Sequence, residues 1–513
     1  MTPPPPAADV KRRAGWLPDN QDALEAWLTG HRERVEAKGE RELHPVVQEF
    51  ADLIDHDPVL RMYAERMIAQ VPSGKAYTKR HLESVDQLLR LIDEVLTMAP
   101  EFGDDSVTIP LGAILDWTTG TEAGFAFYRD PRVNGMLKKI LTVWCDFLSS
   151  PDSLYVLNDS DTGWTSEAAR RTIGIEQYWH DAADPHWGFT SWNDFFTRRF
   201  HAAARPVADP DDDSVIVSAC ESTPYAIKAD VQRRDRFWLK SQPYSLDDML
   251  ANDESAGQFV GGTVYQAFLS ATNYHRWHAP VAGTIVRAFV RDGTYYSEAD
   301  SEGPAAVEPM NSQGYLAHVA TRAIILIEAD NPAIGLVAVV PVGMVEVSSC
   351  IIAPEITAGH HVAKGDEIGH FQFGGSTHCL VFRPGVIADF SLDALPNRRT
   401  RTRRWCSCAR SSRPPPPEPW DVVGVVTLAG PTIQEQTAQA PRNCVAVVEA
   451  GGGTREDIVH VNVLLANPAD FAGMNEAYAT IFPTNQPTRA VAKLGVEIAD
   501  VRVSIMVTAQ LTD

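Results

Sequence analysis

"FQFGGSTHCLVF", residues 371–382, is the stretch on which the reading of this chain turns. Two apolar, strand-like arms flank Gly374, Gly375, Ser376, Thr377 and His378, which places paired glycines and a hydroxyl at the tip of a hairpin. Gly-Gly tolerates positive φ and Ser-Thr often ends a turn, so a plain turn is one reading. A serine nucleophile of the α/β-hydrolase kind needs G-x-S-x-G, and "GGSTH" lacks the second glycine. The chemical reading is different. Paired glycines leave the Gly375 carbonyl open and its backbone free to strain, as an N-to-O acyl shift by the serine hydroxyl requires. Such a shift needs a base, and "YHRWHAP" (274–280) supplies His275 and His278. The same pair reads alternatively as half a metal site or as structural surface histidines; no H-E-x-x-H motif or acidic third ligand lies alongside.

Outward from the hairpin, residues 201–396 read as a sheet domain. β-Branched runs such as "GTIVRAFV" (283–290), "AIILIEAD" (323–330) and "GLVAVVPVGMVEV" (335–347) are broken by turns such as "KGDEIG" (364–369). Residues 15–200 read as mainly helical. Apolar residues at 82, 85, 89, 92 and 96 make one stripe of a helix ending before Pro100, and Leu60, Tyr63 and Met67 make a shorter one. Residues 1–14 are a Pro-rich lead without the apolar core of a secretion signal. Residues 397–420 carry seven arginines between Arg398 and Arg413 and then four prolines, the composition of an exposed linker or a local anion-binding patch. Cys406 and Cys408, without a second Cys/His pair nearby, are a weak metal signal, and no metal site is expected. Residues 421–513 alternate strand-like and helical stretches as β-α-β-α-β, a small α+β unit.

Bulk composition narrows the partners. The 513 residues hold 45 Lys plus Arg against 67 Asp plus Glu, a formal charge of -22 that repels nucleic acid and anionic lipid surfaces. No run reaches the roughly 18–20 apolar residues that span a bilayer. Seven scattered cysteines suit a reducing compartment, so a cytoplasmic address is expected.

"SWNDFFTRRF", "SACES", "FLSATNYHRWHAPVAGTIV", "LIEADNPAIGLV" and "KGDEIGHFQFGGST", in this order along the chain, resemble the phosphatidylserine decarboxylase family, and within it the soluble fungal branch that acts on tryptophan. The likeness runs from about Gly15 to about residue 390. The resemblance implies that Ser376 attacks the Gly375 carbonyl, that the chain is cut between them, and that the new terminus becomes a pyruvoyl cofactor. It implies that His278 activates the Ser376 hydroxyl and that His275 serves decarboxylation as a proton donor. It further implies a Schiff base with the substrate amine, the pyruvoyl group being the electron sink. The family's triad acid is commonly an Asp in an "ADG" stretch; here "SACES" offers Glu221, which carries the same charge on a longer stem. The substrate expected is a free aromatic L-amino acid, tryptophan favoured. A membrane-associated phosphatidylserine decarboxylase and a non-processing binding protein are the alternatives.

The stretches "EQTAQAPRNCVAVVEAGGGTREDIVHVNVLLANPADFAGMNEAYATIF" and "QPTRAVAKLGV" resemble the Rid (reactive intermediate deaminase) family. The resemblance implies that Arg489 holds a substrate carboxylate and that this domain supports homo-oligomers. Met506 stands where active members carry a glutamate, and the opening hairpin is short, so an inactive or structural module stays open beside a deaminase. The expected fold is thus α+β: a helical N-terminal region, a β-rich pyruvoyl decarboxylase core and a small Rid-like domain.

Overall fold

The computed structural model describes residues 17–18, 20–70, 82–103, 106–201, 204–235, 244–270, 272–299, 312–346, 349–374, 376–391, 394–396, 422–424, 431–450, 454–482, 486–493 and 502–509. The expected linker at 397–420, with Cys406 and Cys408, and the expected scissile residue Gly375 lie outside them. Two compact units emerge, Met1–Val425 and Val426–Asp513.

The first unit begins with helices whose placement follows the apolar stripes. They are α1 (Gln21–Ala37), α2 (Pro45–His56), α3 (Pro58–Ala69), α4 (Val85–Val95), α5 (Pro110–Thr119), α6 (Glu122–Phe127), α7 (Pro131–Leu148), α8 (Glu167–Ile173) and α9 (Trp192–Phe196). The stripe from Leu82 becomes α4, which starts where the Ser84 hydroxyl accepts the Gln87 N–H at 3.1 Å, satisfying a donor the first turn leaves open. In α7 Asp130 caps the first turn, Pro131 supplies a preset φ, and Val133, Leu137, Ile140, Leu141, Trp144 and Leu148 face inward. Helix α5 is buried along its whole length. These helices share a core with Trp117, Trp144, Trp164, Trp192, Phe195 and Phe196, and Phe373, from the opening stretch, enters that same core.

The strands follow: β1 (Ile216–Val217), β2 (Thr223–Ala229), β3 (Thr263–Leu269), β4 (Arg276–His278), β5 (Gly283–Arg291), β6 (Arg322–Ala329), β7 (Leu336–Gly343), β8 (Cys350–Ile352), β9 (His361–Val362), β10 (Glu367–Phe371), β11 (Ser376–Phe382) and β12 (Val422–Gly424). Seven make one antiparallel sheet in the order β2-β3-β11-β7-β6-β5-β9, and β4-β10-β8 make a second. Strand β11 lies between β3 and β7 and is buried from end to end. One face of the large sheet carries Leu380, Phe382, Val337 and Val339; the other carries Cys379, Val381, Ala338 and Val340. Pro341 is tolerated inside β7 because the β6–β7 ladder skips from Arg322↔Val342 to Ile325↔Val339, so its missing N–H falls in the gap.

One sequence expectation changes. The run 335–347 stops being a strand at Gly343, since Glu346 adopts a left-handed φ of 65°. Strand β12, from the stretch expected to open the C-terminal domain, pairs with β1 and belongs to the first unit.

The second unit contains α10 (Ile433–Ala450), β13 (Ile458–Leu465), α11 (Phe471–Ile481), β14 (Thr488–Lys493) and β15 (Val503–Ala509). Its sheet order is β14-β13-β15, with β14 parallel and β15 antiparallel to β13. Strand β14, which carries Arg489, is an element the β-α-β-α-β reading omits.

Candidate active site

Ser376 is the first residue of β11, opposite Leu269 of β3 and Gly343 of β7. Its hydroxyl is buried and makes no hydrogen bond among the described residues. Thr377 points to the opposite face, where its Oγ1 donates to the Ala267 carbonyl at 2.9 Å and accepts from Gln266 Nε2 at 3.3 Å, so its role is structural. Gly374 has φ 136°, a conformation that L side chains rarely adopt, which accounts for the first glycine of the pair.

The approach to Ser376 is clamped from two sides. The Phe373 ring packs edge-on against Trp144, Trp192 and Phe196 at centroid distances of 5.2, 5.7 and 5.1 Å. Gln372 donates its N–H to the Ser349 carbonyl at 3.2 Å, and its side-chain oxygen accepts from the Ser349 hydroxyl and from Cys145 Sγ at 3.4 Å.

His275 lies just before β4, and its carbonyl accepts the Phe371 N–H at 3.0 Å. Its fully buried ring stacks on Phe196 at 3.9 Å, and Phe196 in turn meets Phe373. Burial, with the Arg198 guanidinium adding, holds the imidazole well below the ordinary histidine range, against the pull of the Asn273 backbone. Arg198 fixes this loop by donating to the Thr272 and Asn273 carbonyls at 2.7 and 3.0 Å.

His278 ends β4, opposite Glu367. Its Nδ1 lies 2.7 Å from the Gly365 carbonyl, which only accepts, so Nδ1 carries the hydrogen. Nε2 is therefore the acceptor for the Tyr274 hydroxyl at 3.0 Å. Burial lowers the His278 pKa, opposed by the Gly365 carbonyl and by Glu367, so the ring is neutral at pH 7.

Glu221 does not take the orienting position expected of it. Its Oε1 pairs with Arg205 Nη2 at 2.6 Å and Nε at 3.2 Å, and its Oε2 is buried without a hydrogen bond among the described residues. The link to His278 runs instead through the backbone, the His278 N–H donating to the Ala219 carbonyl at 2.8 Å. Arg205 decides this, because a fork donor within reach outcompetes a neutral imidazole for the carboxylate.

Two further residues of this region received no role in the sequence reading. Glu346 follows β7, whose last residue, Gly343, lies opposite Ser376. Its Oε1 accepts the Gly112 N–H at 2.5 Å at the start of α5, and burial raises its pKa well above the carboxylate range. The other is His378, fully buried, whose pKa burial drives down to about 3 while the Ala267 carbonyl pulls the other way. A polar residue inside a strand of otherwise apolar type was its available signal.

Comparison with known proteins agrees with this layout. Residues 44–173 and 192–402 match two family models, both described as phosphatidylserine decarboxylase. Decarboxylase iboD of Amanita muscaria is 40% identical over 335 residues, covering 60% of this chain and 95% of that protein. The chain belongs to the phosphatidylserine decarboxylase family. It is a decarboxylase, a carboxy-lyase. Within the family, the L-tryptophan decarboxylase of Psilocybe cubensis is 33% identical over 412 residues, covering 75% of this chain and 91% of that protein. Phosphatidylserine decarboxylase proenzyme 3 of Schizosaccharomyces pombe is 32% identical over 217 residues, covering 42% of this chain and 21% of that protein.

Residues 419–511 match the family model described as Endoribonuclease L-PSP, in keeping with the Rid resemblance. A solved putative endoribonuclease L-PSP from Entamoeba histolytica is 32% identical, covers 16% of this chain and 66% of that one, and has a TM-score of 0.16. Arg489 is exposed on β14, with its guanidinium 4.6 Å from the centroid of Tyr478, a cation–π contact. Met506 lies opposite Asn462 on β13. No described helix is long and apolar enough to cross a membrane.

Proposed function

We propose that this decarboxylase makes its own pyruvoyl cofactor by cleavage between Gly375 and Ser376 and acts on a free aromatic L-amino acid, tryptophan favoured. The observation that carries the reading is the Ser376 hydroxyl: buried, without a hydrogen bond among the described residues, and at the start of a strand preceded by paired glycines. An orphaned buried hydroxyl is costly, and it is retained where reaction uses it. Gly343, one of its two cross-strand neighbours, puts no side chain against the strand start, which supports a place for the cofactor there. A pyruvoyl ketone condenses with an amine and accepts the electrons released when carbon dioxide leaves.

The chain's own residues have separable tasks in this reading. Gln372 and Phe373, held by Ser349, Trp144, Trp192 and Phe196, fix the segment before the cut. His278 is kept neutral and in one tautomer by Gly365 and Tyr274, the form in which Nε2 can take a proton. His275, dry and stacked on Phe196, is the group proposed to serve decarboxylation. Glu221 holds Arg205 and has no direct part. The S. pombe relative is named a proenzyme and the Psilocybe relative an L-tryptophan decarboxylase, which supports self-processing and an aromatic substrate respectively. A cytoplasmic address and a homo-oligomer built through the Rid-like domain belong to the same proposal, as does carboxylate binding by Arg489.

A denaturing gel tests it. The 56.3 kDa chain of 513 residues, cut after residue 375, divides in proportion to length into about 41 and 15 kDa. Ser376→Ala must abolish the cut, and the smaller piece must have the mass of a pyruvoyl terminus. An intact wild-type band ends the reading. Carbon dioxide release from tryptophan, other amino acids and phosphatidylserine vesicles then decides the substrate, and release from vesicles alone removes the amino-acid reading.

A further inference from the structure

Alternation along β11 puts Ser376, His378, Leu380 and Phe382 on one face of the sheet. Ser376 and His378 are therefore same-face neighbours, about 7 Å apart along the strand. Their cross-strand neighbours include Gly343 beside Ser376, and Ala267 and Pro341 on the two sides of His378. Gly343 and Ala267 are the small members of this set, Leu269 also standing beside Ser376, on a face that is otherwise apolar.

Three other buried histidines are held by ring hydrogen bonds. His31 bonds the Leu91 carbonyl at 3.1 Å, His278 bonds Gly365 and Tyr274, and His318 accepts the Ser245 N–H at 2.8 Å. Neither ring nitrogen of His378 reaches hydrogen-bond geometry among the described residues; the Ala267 carbonyl acts on the ring, which leaves the lone pair of the other nitrogen to be offered elsewhere. Two orphaned polar groups, two residues apart on one face, complement each other: a neutral imidazole has one lone pair to offer, and the serine has one hydrogen to give.

We propose that His378 is a positioning residue for self-cleavage, its neutral ring accepting the hydrogen of Ser376 Oγ, directly or through one water, and so turning the oxygen toward the Gly375 carbonyl carbon. This rests on the self-processing reading. In the step it serves, the Oγ–C bond forms, the Gly375–Ser376 C–N bond breaks, and the hydroxyl proton ends on the released Ser376 amine. The product is an ester, with no oxidant or reductant consumed. His378 only orients, while proton transfer falls to His278 in the proposed scheme.

The test compares His378→Leu with His378→Asn. Leucine fills the space without an acceptor, and asparagine keeps an acceptor oxygen. The readout is the rate of appearance of the two bands on a denaturing gel, with folding followed by circular dichroism. The leucine variant should cleave at least about tenfold more slowly, the rate equivalent of one hydrogen bond, and the asparagine variant should recover most of the loss. A folded leucine variant that cleaves at the wild-type rate overturns the proposal, as does a folded asparagine variant as slow as leucine. The asparagine comparison with wild type decides alone if leucine prevents folding: an asparagine variant slowed tenfold overturns it too. Should the wild type itself stay intact, the self-processing reading has failed; cleavage in both wild type and leucine variant fails only His378.

Discussion

Gly369→Ala is the perturbation that most directly probes the packing of the candidate site. Gly369 lies in β10, opposite Ile352 of β8 and Trp277 of β4. A Cβ there would stand 2.4 Å from the Ile351 carbonyl oxygen and 2.6 and 2.7 Å from two carbons of the Trp277 ring. Ordinary contact is nearer 3.4–4 Å, so about 1 Å of movement is demanded. The carbonyl belongs to a strand in the same ladder, and the ring is fully buried and packed edge-on to Phe371 at 4.9 Å. Neither gives freely. Overpacking of this kind costs about 1–3 kcal/mol. For a domain of this size that is a fall in Tm of roughly 2–6 °C.

A second effect follows from place. Trp277 is the residue before His278, so movement of the ring shifts the strand that carries the histidine; a displacement of order 1 Å can slow a positioned reaction by as much as about a hundredfold. Stability is measured by scanning calorimetry in the Ser376→Ala background, where no cut intervenes, and self-cleavage by gel time course with Ser376 present. The control is Gly135→Ala in α7, where an added Cβ meets nothing within 4 Å and a helix interior gains about 0.5–1 kcal/mol from the exchange. Gly369→Ala with unchanged Tm and unchanged cleavage would refute the described packing of β4 on β10.

Tyr274→Phe removes the hydroxyl that donates to His278 Nε2, the loss of one buried hydrogen bond, worth about 1 kcal/mol; the gel should show slower self-cleavage, and a wild-type rate counts against His278. Glu221→Gln should lower Tm by a few degrees through the weakened Arg205 pair yet leave cleavage within about threefold; a collapse of cleavage would restore Glu221 to the machinery. Burial raises the folded pKa of Glu346, so its stabilising protonated form is lost as pH rises above the unfolded value of 4.5; Glu346→Gln keeps the acceptor for Gly112 and should raise Tm at pH 8, and a fall there contradicts this. Burial lowers the folded values of His31 and His318 to about 4 and of His378 to about 3 from 6.5. Their contribution is intact above pH 6.5, and stability falls by about 1.4 kcal/mol per pH unit per histidine between pH 6.5 and 4. Urea midpoints of the Ser376→Ala chain at pH 7.5 and 5.0 should therefore differ, and coincident midpoints contradict the burial.

Local pattern made much of the fold legible. The stripe from Leu82 to Leu96 and the cap at Ser84 carry their own instructions, and α4 forms where they say. The runs at 283–290 and 323–330 become β5 and β6 for the same reason. What could not be read depends on partners far along the chain. "TRAVAK" is short, charged and alanine-rich, and becomes β14 because β13 offers a parallel edge. The strand expected through Glu346 ends at Gly343 where Gly112, 234 residues away, captures the carboxylate. Glu221 has the charge the chemistry wants near the place it is wanted, yet Arg205 outbids the imidazole.

The helical region and the sheet hold different halves of the candidate site. Register in the large sheet fixes Ser376 from Oγ outward, because β3 and β7 pair with β11 along its whole length. Among the described residues, those before the proposed cut have no such ladder after Phe371. Phe373 is held instead by Trp144 of α7 and by Trp192 and Phe196 of α9, and Gln372 by Cys145 of α7 as well as Ser349. Strain at a peptide bond requires both of its sides to be anchored, or it relaxes into the looser one. A serine on a rigid strand is therefore insufficient by itself. The helices supply the second anchor, and Phe196, touching both Phe373 and His275, ties that anchor to the histidine proposed for the later reaction.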